Sequence, residues 1–188
     1  MEHEPQQGYP SSDTAPDSLL QRVTIRHLRE EDLPGLEWDG EFIHFRRLYR
    51  EIYESTRRGN AIMWVAFLDG VGVIGQLFVQ LNSARHELAN GESRAYIYGF
   101  RIRQNYRRMG LGTRIMAAAE RELAQRGFKW VTLNVSRENE EAIRLYRRCG
   151  YRIVAREAGR WSYIDHLGKR REVHEPSWRM EKKLDPSG

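Results

Sequence analysis

Hydrophobic positions recur along this chain with two periods, and each change of period marks a new element. From residue 22 onward Val23, Ile25 and His27 alternate with polar neighbours, which predicts a short strand. Glu30, Glu31 and Asp32 follow, negative charges that suit the positive end of a short helix with Pro34 in its first turn. Phe42, Phe45, Leu48, Tyr49, Ile52 and Tyr53 then fall near one face of a helix over 41–57, closed by Gly59 and Asn60. The stretch AIMWVAFL over 61–68 is continuously apolar, Asp69–Gly70 reads as a hairpin turn, and 71–81 supplies the partner strand. Beyond a polar loop over 82–94 come a strand over 95–103, a glycine-bearing turn and an amphipathic helix over 110–126. A strand over 128–135, a helix over 139–149 ended by Gly150 and a strand over 151–156 complete the middle of the chain. Residues 161–184 predict a closing hairpin, with Trp178, Met180 and Leu184 on one face of its last strand.

The order strand–helix–helix–three strands–helix–strand–helix–two strands describes one mixed α/β domain over 21–184. Near its middle lies a strand–helix–strand unit, where a parallel pair is expected. Residues 1–20 are rich in Pro, Ser, Asp and Gln and nearly free of aliphatic side chains until Leu19. Such a segment buries too little apolar surface to offset its ordering entropy, so a flexible tail is expected there. Residues 185–188 form a short C-terminal tail. No internal repeat interrupts the domain.

Composition narrows the classes further. The formal net charge is +5 on 188 residues, with arginine favoured over lysine. The charge is scattered, and many arginines sit at helical spacing from glutamates, as in Glu140–Glu141–Arg144, which describes a solvated surface rather than a nucleic-acid face. No stretch approaches the ~20 apolar residues of a membrane span, and no basic region precedes an apolar core at the N-terminus. Cys149 is the single cysteine, so no intrachain disulfide framework exists. The expectation is a soluble cytoplasmic protein without nucleic-acid or membrane partners.

Candidate chemistry concentrates in YIYGFRIRQNYRRMGLG over 96–112. A strand runs into a turn, and Gly110 and Gly112 open a helix whose Leu111, Ile115, Ala119 and Leu123 recur at core-facing spacing. The first turn of a helix exposes unpartnered N–H groups at its positive end, and glycines let a phosphate approach them, with Arg107 and Arg108 just outside. A nucleoside-triphosphate loop would need a Gly-Lys-Ser/Thr ending that is absent. A dinucleotide loop would need a third glycine where Ile115 stands. What remains, Arg107-x-x-Gly110-x-Gly112, resembles the acetyl-CoA signature of the GCN5-related N-acetyltransferase (GNAT) superfamily. Downstream, Asn139, Ala142, Leu145, Tyr146, Gly150 and Tyr151 resemble the second signature of that superfamily, at the right distance from the first.

The resemblance spans about 23–184 and is tight over 95–151. It implies a mostly antiparallel sheet of six to seven strands with a central parallel, splayed pair and about four helices. It also implies acetyl-CoA as acyl donor. Backbone groups of Phe100, Arg101 and Ile102 would bond the pantetheine arm. The amides of Arg108, Met109, Gly110, Leu111, Gly112 and Thr113 would hold the pyrophosphate. Arg107 and Arg108 would add charge, Asn139 would contact the cofactor besides capping its helix, and Tyr146 would protonate the departing thiolate. The acceptor would be a primary amine on a small molecule or peptide, attacking directly, and the resemblance allows a homodimer. A non-catalytic acyl-CoA-binding module is the alternative.

One departure stands out: the strand before the glycine loop carries no Asp or Glu, where many members place their base. Two other clusters could supply one, 37–44 (EWDGEFIH) and 161–166 (WSYIDH) with Glu172, His174 and Glu175. Their acidic and aromatic residues would suit a cationic acceptor. His44, His166 and His174 lack close metal-ligand spacing, so no metal is expected. Cys149 reads as a small buried residue.

Overall fold

The structure, a computed structural model, describes residues 16–186. Its helices are α1 (Pro16–Gln21), α2 (Arg46–Arg57), α3 (Leu111–Gln125) and α4 (Glu140–Arg148). Its strands are β1 (Val23–His27), β2 (Ala61–Leu68), β3 (Gly72–Gln80), β4 (Arg94–Ile102), β5 (Trp130–Ser136), β6 (Arg152–Glu157), β7 (Arg160–Ile164), β8 (Arg170–His174) and β9 (Ser177–Lys183). A seven-stranded sheet takes the order β1-β2-β3-β4-β5-β9-β6, while β7 and β8 form a separate ribbon. All neighbours in the large sheet are antiparallel except β4 and β5.

The apolar run of β2 follows from cover on both faces. Ile62, Ala66 and Leu68 pack with Leu111, Ile115, Met116, Ala119 and Leu123 of α3. Ala61, Met63 and Val65 pack on the opposite face with Tyr49 and Ile52 of α2 and with Leu33 and Leu36 of a 3-10 helix, Glu30–Glu37. In that 3-10 helix Asp32 is buried but answered, by Arg26 at 2.6 Å and by the Arg29 N–H at 2.7 Å. Outside the core, arginines meet glutamates one helical turn away, as in Arg126–Glu122 and Arg144–Glu140. Among the described residues no helix is long and apolar enough to cross a membrane.

The central parallel pair is short. β4 and β5 are in register only from Arg94↔Trp130 to Ile97↔Leu133. Past that point β4 stays with β3 and β5 stays with β9, so a wedge opens between Tyr98–Ile102 and Asn134–Ser136. A bulge at Gly99 sets what faces each side of the wedge. Gly99 adopts φ +59°, and a Cβ there would lie 2.6 Å from Phe78 Cδ2, so glycine is required on both counts. The extra residue reverses the strand's alternation. Phe100 and Ile102 join the α3 side, whereas Tyr98 and the Arg101 side chain face the α2 side.

The observed chain differs from the sequence expectation at three places. Most of the expected N-terminal tail lies outside the described residues, but from Pro16 the chain forms α1, with Leu19 and Leu20 packed on the core. The helix expected over 41–57 begins at Arg46, after a 3-10 turn at Ile43–Phe45. Phe42 (φ −114°, ψ 24°) and Phe45 (φ −92°, ψ 3°) depart from α-helical geometry, so a regular α-helix starts only at Arg46. The closing hairpin over 161–184 is instead three strands. β7 and β8 pair with each other, and β9 enters the main sheet between β5 and β6, placing Trp178, Met180 and Leu184 against the core.

Candidate active site

The wedge between β4 and β5 widens into a cleft of about 560 Å³, closed by the start of α3 and by α4. Phe100, Arg101, Ile102, Arg107, Arg108, Gly110, Gly112, Thr113, Asn139 and Tyr146 all line it, so ten of the twelve sequence candidates converge. The side chain of Leu111 points into the core instead, and Met109 stands outside the lining. For these two, a part in binding could come only through the backbone. The backbone N–H groups of Arg108 to Thr113 donate no hydrogen bond among the described residues; the first to do so is Arg114, to Gly110 O at 3.2 Å. Arg108 and Gly110 have left-handed φ (61° and 79°), which bends this run of donors into a concave loop. Such a run at a helix N-terminus fits a pyrophosphate.

The side chains around it are less free than the backbone. Arg107 Nε donates to Ile102 O at 2.9 Å and so ties the loop to the end of β4. Arg108 lies 3.4 Å from Glu141 on the surface. Asn139 Oδ1 accepts the Ala142 N–H at 3.1 Å, the N-cap of α4, a bond worth about 1 kcal/mol of helix stability.

Tyr146 sits in the middle of α4, only 7% exposed, with its ring 6.2 Å from Phe100 and 6.0 Å from Tyr151. Its hydroxyl makes no hydrogen bond among the described residues. Burial, above all, raises its pKa, with Cys149 and Tyr96 adding to the effect, so the phenol keeps its proton. Near the wedge stand residues the sequence reading missed, of which Tyr98 and Asn134 line the cleft. Tyr96 and Tyr98 stack 5.7 Å apart on one face of β4. Burial pushes Tyr96 up to about 12 and raises Tyr98 further, so neither serves as a phenolate base near neutral pH. Asn134 follows Leu133, the last β5 residue paired with β4, lines the cleft, and carries a buried Oδ1 without a partner. The signal was present: tyrosines two apart on a strand share a face, and in the alternating VTLNV the amide of Asn134 takes a polar position beside Thr132.

Of the two acidic clusters, Glu175 alone reaches the cleft lining, and its carboxylate has no ion-pair or hydrogen-bond partner among the described residues. Of the other acids, Glu41 is exposed and makes no ion pair among the described residues, Asp39 meets Arg103 at 3.2 Å, and the remaining three are engaged. Glu37 takes Arg46 at 2.5 Å, and Glu172 takes Arg170 at 2.6 Å. Asp165, 1% exposed, accepts the Leu167 and Lys169 N–H groups and Arg171 Nε. Led by the Lys169 bond, these lower its pKa to about 2, so it braces the β7–β8 turn and is a poor base. The aromatic half of the first cluster is also taken. Phe42, Phe45, Tyr49 and Trp38 surround the guanidinium of Arg101, so these rings are not open to a cationic acceptor. Cys149 lies outside the cleft, and burial, above all, pushes its thiol up.

Comparison with known proteins agrees with this geometry. The model of the Acetyltransferase (GNAT) family matches residues 23–151. The Probable N-acetyltransferase 14 of Xenopus tropicalis is 24% identical over 117 residues, 62% of this chain and 52% of that protein. The chain thus spans about half the length of the curated relative it matches. Ard1 from Thermoplasma volcanium superposes with a TM-score of 0.67 at 20% identity, over 87% of this chain and 99% of that one. Arabidopsis thaliana NAA60, solved in complex with acetyl-CoA, gives 0.65 at 22% identity, over 86% and 98%. At those identities the two structures speak for the fold. The family follows from the match over 23–151: this chain belongs to the GNAT acetyltransferase family.

Proposed function

We propose that the chain is an acetyl-CoA-dependent N-acetyltransferase that passes the acetyl group directly to a primary amine. One observation carries this reading: an unbroken run of unpartnered amides, Arg108 to Thr113, opens onto the same cleft as the free hydroxyl of Tyr146. Donors in that number are costly to leave unmade if they are sealed and are well matched to a pyrophosphate. The match in kind to NAA60, whose structure holds acetyl-CoA, supports the same donor here. Bound there, acetyl-CoA supplies an activated thioester. Backbone groups of Phe100 to Ile102, left without a β5 partner by the wedge, bond the pantetheine arm.

In this reading the amine enters from the Tyr96–Tyr98 face, and Asn134 Oδ1 accepts one of its N–H groups. Glu175 takes the proton the ammonium must lose, directly or through water, because an alkylamine of pKa near ~10.4 is almost wholly protonated at neutral pH. As nitrogen bonds to the acetyl carbon, the C–S bond breaks and Tyr146 gives its proton to sulfur. The nitrogen sheds its second proton to water as the amide forms, and the phenol is restored from solvent.

The test is thiol release from acetyl-CoA across a panel of primary amines. Amine-dependent release is expected, and Glu175→Gln lowers kcat/KM at neutral pH by about tenfold or more. A folded protein that binds acetyl-CoA but releases no thiol with any amine is instead a binding module.

A further inference from the structure

Arg101 is the one arginine on the cleft wall that lies in an aromatic box. Its Cζ lies 3.6 Å from the centroid of Phe42, with Phe45, Trp38 and Tyr49 at 5.5, 5.7 and 5.9 Å. A guanidinium has five N–H donors, and here a single bond is made, from Nη2 to the Tyr49 hydroxyl. Nε is buried without a partner. Nη1 has none among the described residues. Beside it Trp38 Nε1 is a second buried donor left unpaired. No carboxylate forms a salt bridge with Arg101 among the described residues; burial, first of all, lowers its pKa, and Glu41 raises it only from a distance. Neighbouring charge adds to the same sign: Arg103 lies 5.5 Å from the centroid of Trp38, and its partner Asp39 is exposed.

Ring faces offset part of the cost of a buried cation, but they leave in-plane N–H groups unsatisfied. A half-buried guanidinium with no carboxylate partner, its Nε buried and unpaired, is matched by a planar anion in its plane, and a carboxylate fits that geometry. The Gly99 bulge aims this fork at the α2 side of the wedge, the side shared with Tyr98 and away from the phosphate-binding loop. The donor's pyrophosphate is therefore not the anion it waits for. The wall of the box includes Trp38, the first of three successive left-handed residues with Asp39 and Gly40, two of them not glycine. That is the kind of strained turn from which a ligand-dependent clamp is built.

We propose that Arg101 is the specificity-determining residue for the acceptor, and that the acceptor is an amine that also carries a carboxylate. The inference rests on the acetyltransferase reading, and Arg101 recognises the carboxylate while the amine lies in the wedge. Free amino acids and acidic peptide N-termini share this chemistry.

The experiment compares matched acceptors: glycine, β-alanine and γ-aminobutyrate against methylamine, ethylamine and propylamine. A second arm compares peptides beginning with Asp or Glu against those beginning with Asn or Gln. Wild-type kcat/KM is expected to be about tenfold or more higher for the carboxylate member of at least one pair, as a charge-assisted bond at a desolvated site predicts. The arm in which this appears names the source. Arg101→Gln brings that ratio close to one. Equal rates for every pair in the wild type overturn the proposal, as does a ratio that survives in folded Arg101→Gln. If Arg101→Gln does not fold, Arg101→Lys carries the test: a point charge without the fork gives a ratio clearly below wild type, and an unchanged ratio overturns the assignment. Should no amine be acetylated at all, calorimetric titration of the same pairs into the CoA-bound protein reads Arg101 on its own. Binding of the carboxylates over their amines, lost in Arg101→Gln, supports the proposal, and equal binding contradicts it.

Discussion

Gly112→Glu is expected to weaken acetyl-CoA binding by about a thousandfold while leaving the protein folded. Gly112 lies one residue into α3, within the run of free amides, and lines the cleft. A glutamate there brings a like charge to the proposed pyrophosphate. Two unit charges ~4 Å apart at an effective dielectric constant near 20 repel by about 4 kcal/mol, which corresponds to roughly that factor. The fold has less to lose. A Cβ at Gly112 meets the tip of Phe100 at 3.2 Å and Leu145 Cδ2 at 3.5 Å, and the ring edge can give by a few tenths of an ångström. A negative charge in the first turn of a helix is mildly stabilising. Gly112→Ala separates bulk from charge, since it makes the same contacts without the carboxylate, and it should cost no more than about tenfold in affinity. Calorimetric titration with acetyl-CoA checks both. An unchanged dissociation constant in folded Gly112→Glu places the pyrophosphate elsewhere.

Tyr146→Phe is expected to lower kcat by about a hundredfold, the lower part of the range for lost general acid help, because a CoA thiolate is already a fair leaving group. The change removes one hydroxyl that has no hydrogen-bond partner among the described residues, so neither a bond nor packing is lost inside the protein. The affinity for acetyl-CoA should hardly move, since the phenol acts mainly on the transition state. Burial raises the phenol's pKa, so the wild-type enzyme keeps its acid form through neutral and mildly alkaline pH. An alkaline decline of kcat in that range must then come from another group. A folded Tyr146→Phe protein with wild-type turnover removes Tyr146 from the chemistry and leaves the binding site standing.

The parts of this architecture that were legible in the sequence are those written in local patterns. AIMWVAFL, the Asp69–Gly70 turn and its partner strand announce the β2–β3 hairpin, because cover on both faces demands an unbroken apolar run. Gly110 and Gly112 ahead of a regular apolar stripe announce α3 and its free amides. Asn139 announces the start of α4, and the structure places it as the cap. What was not legible depends on partners distant in sequence. The bulge at Gly99 answers Phe78 on β3, and it alone decides that Arg101 faces Phe42 and Tyr49 rather than Tyr146. The aromatic residues of the cluster over 37–44 therefore read as an open cage in one dimension and form part of a filled one in three. Strand β8, RREVH, has a single aliphatic residue, and pairs with β7 through its backbone rather than through an apolar face. β9 enters the sheet beside β5 because its neighbours leave that edge open, which no periodicity within 177–183 records.

The most direct measurement is a single turnover in which protein loaded with acetyl-CoA, labelled in the acetyl group, is mixed with an accepted amine and quenched over time. Direct transfer between bound partners predicts that label leaves acetyl-CoA and appears in the amine product at the same rate, with free thiol formed in equal amount and no label on the protein. Label that stays in acetyl-CoA, or that passes first onto a side chain of the protein, contradicts it.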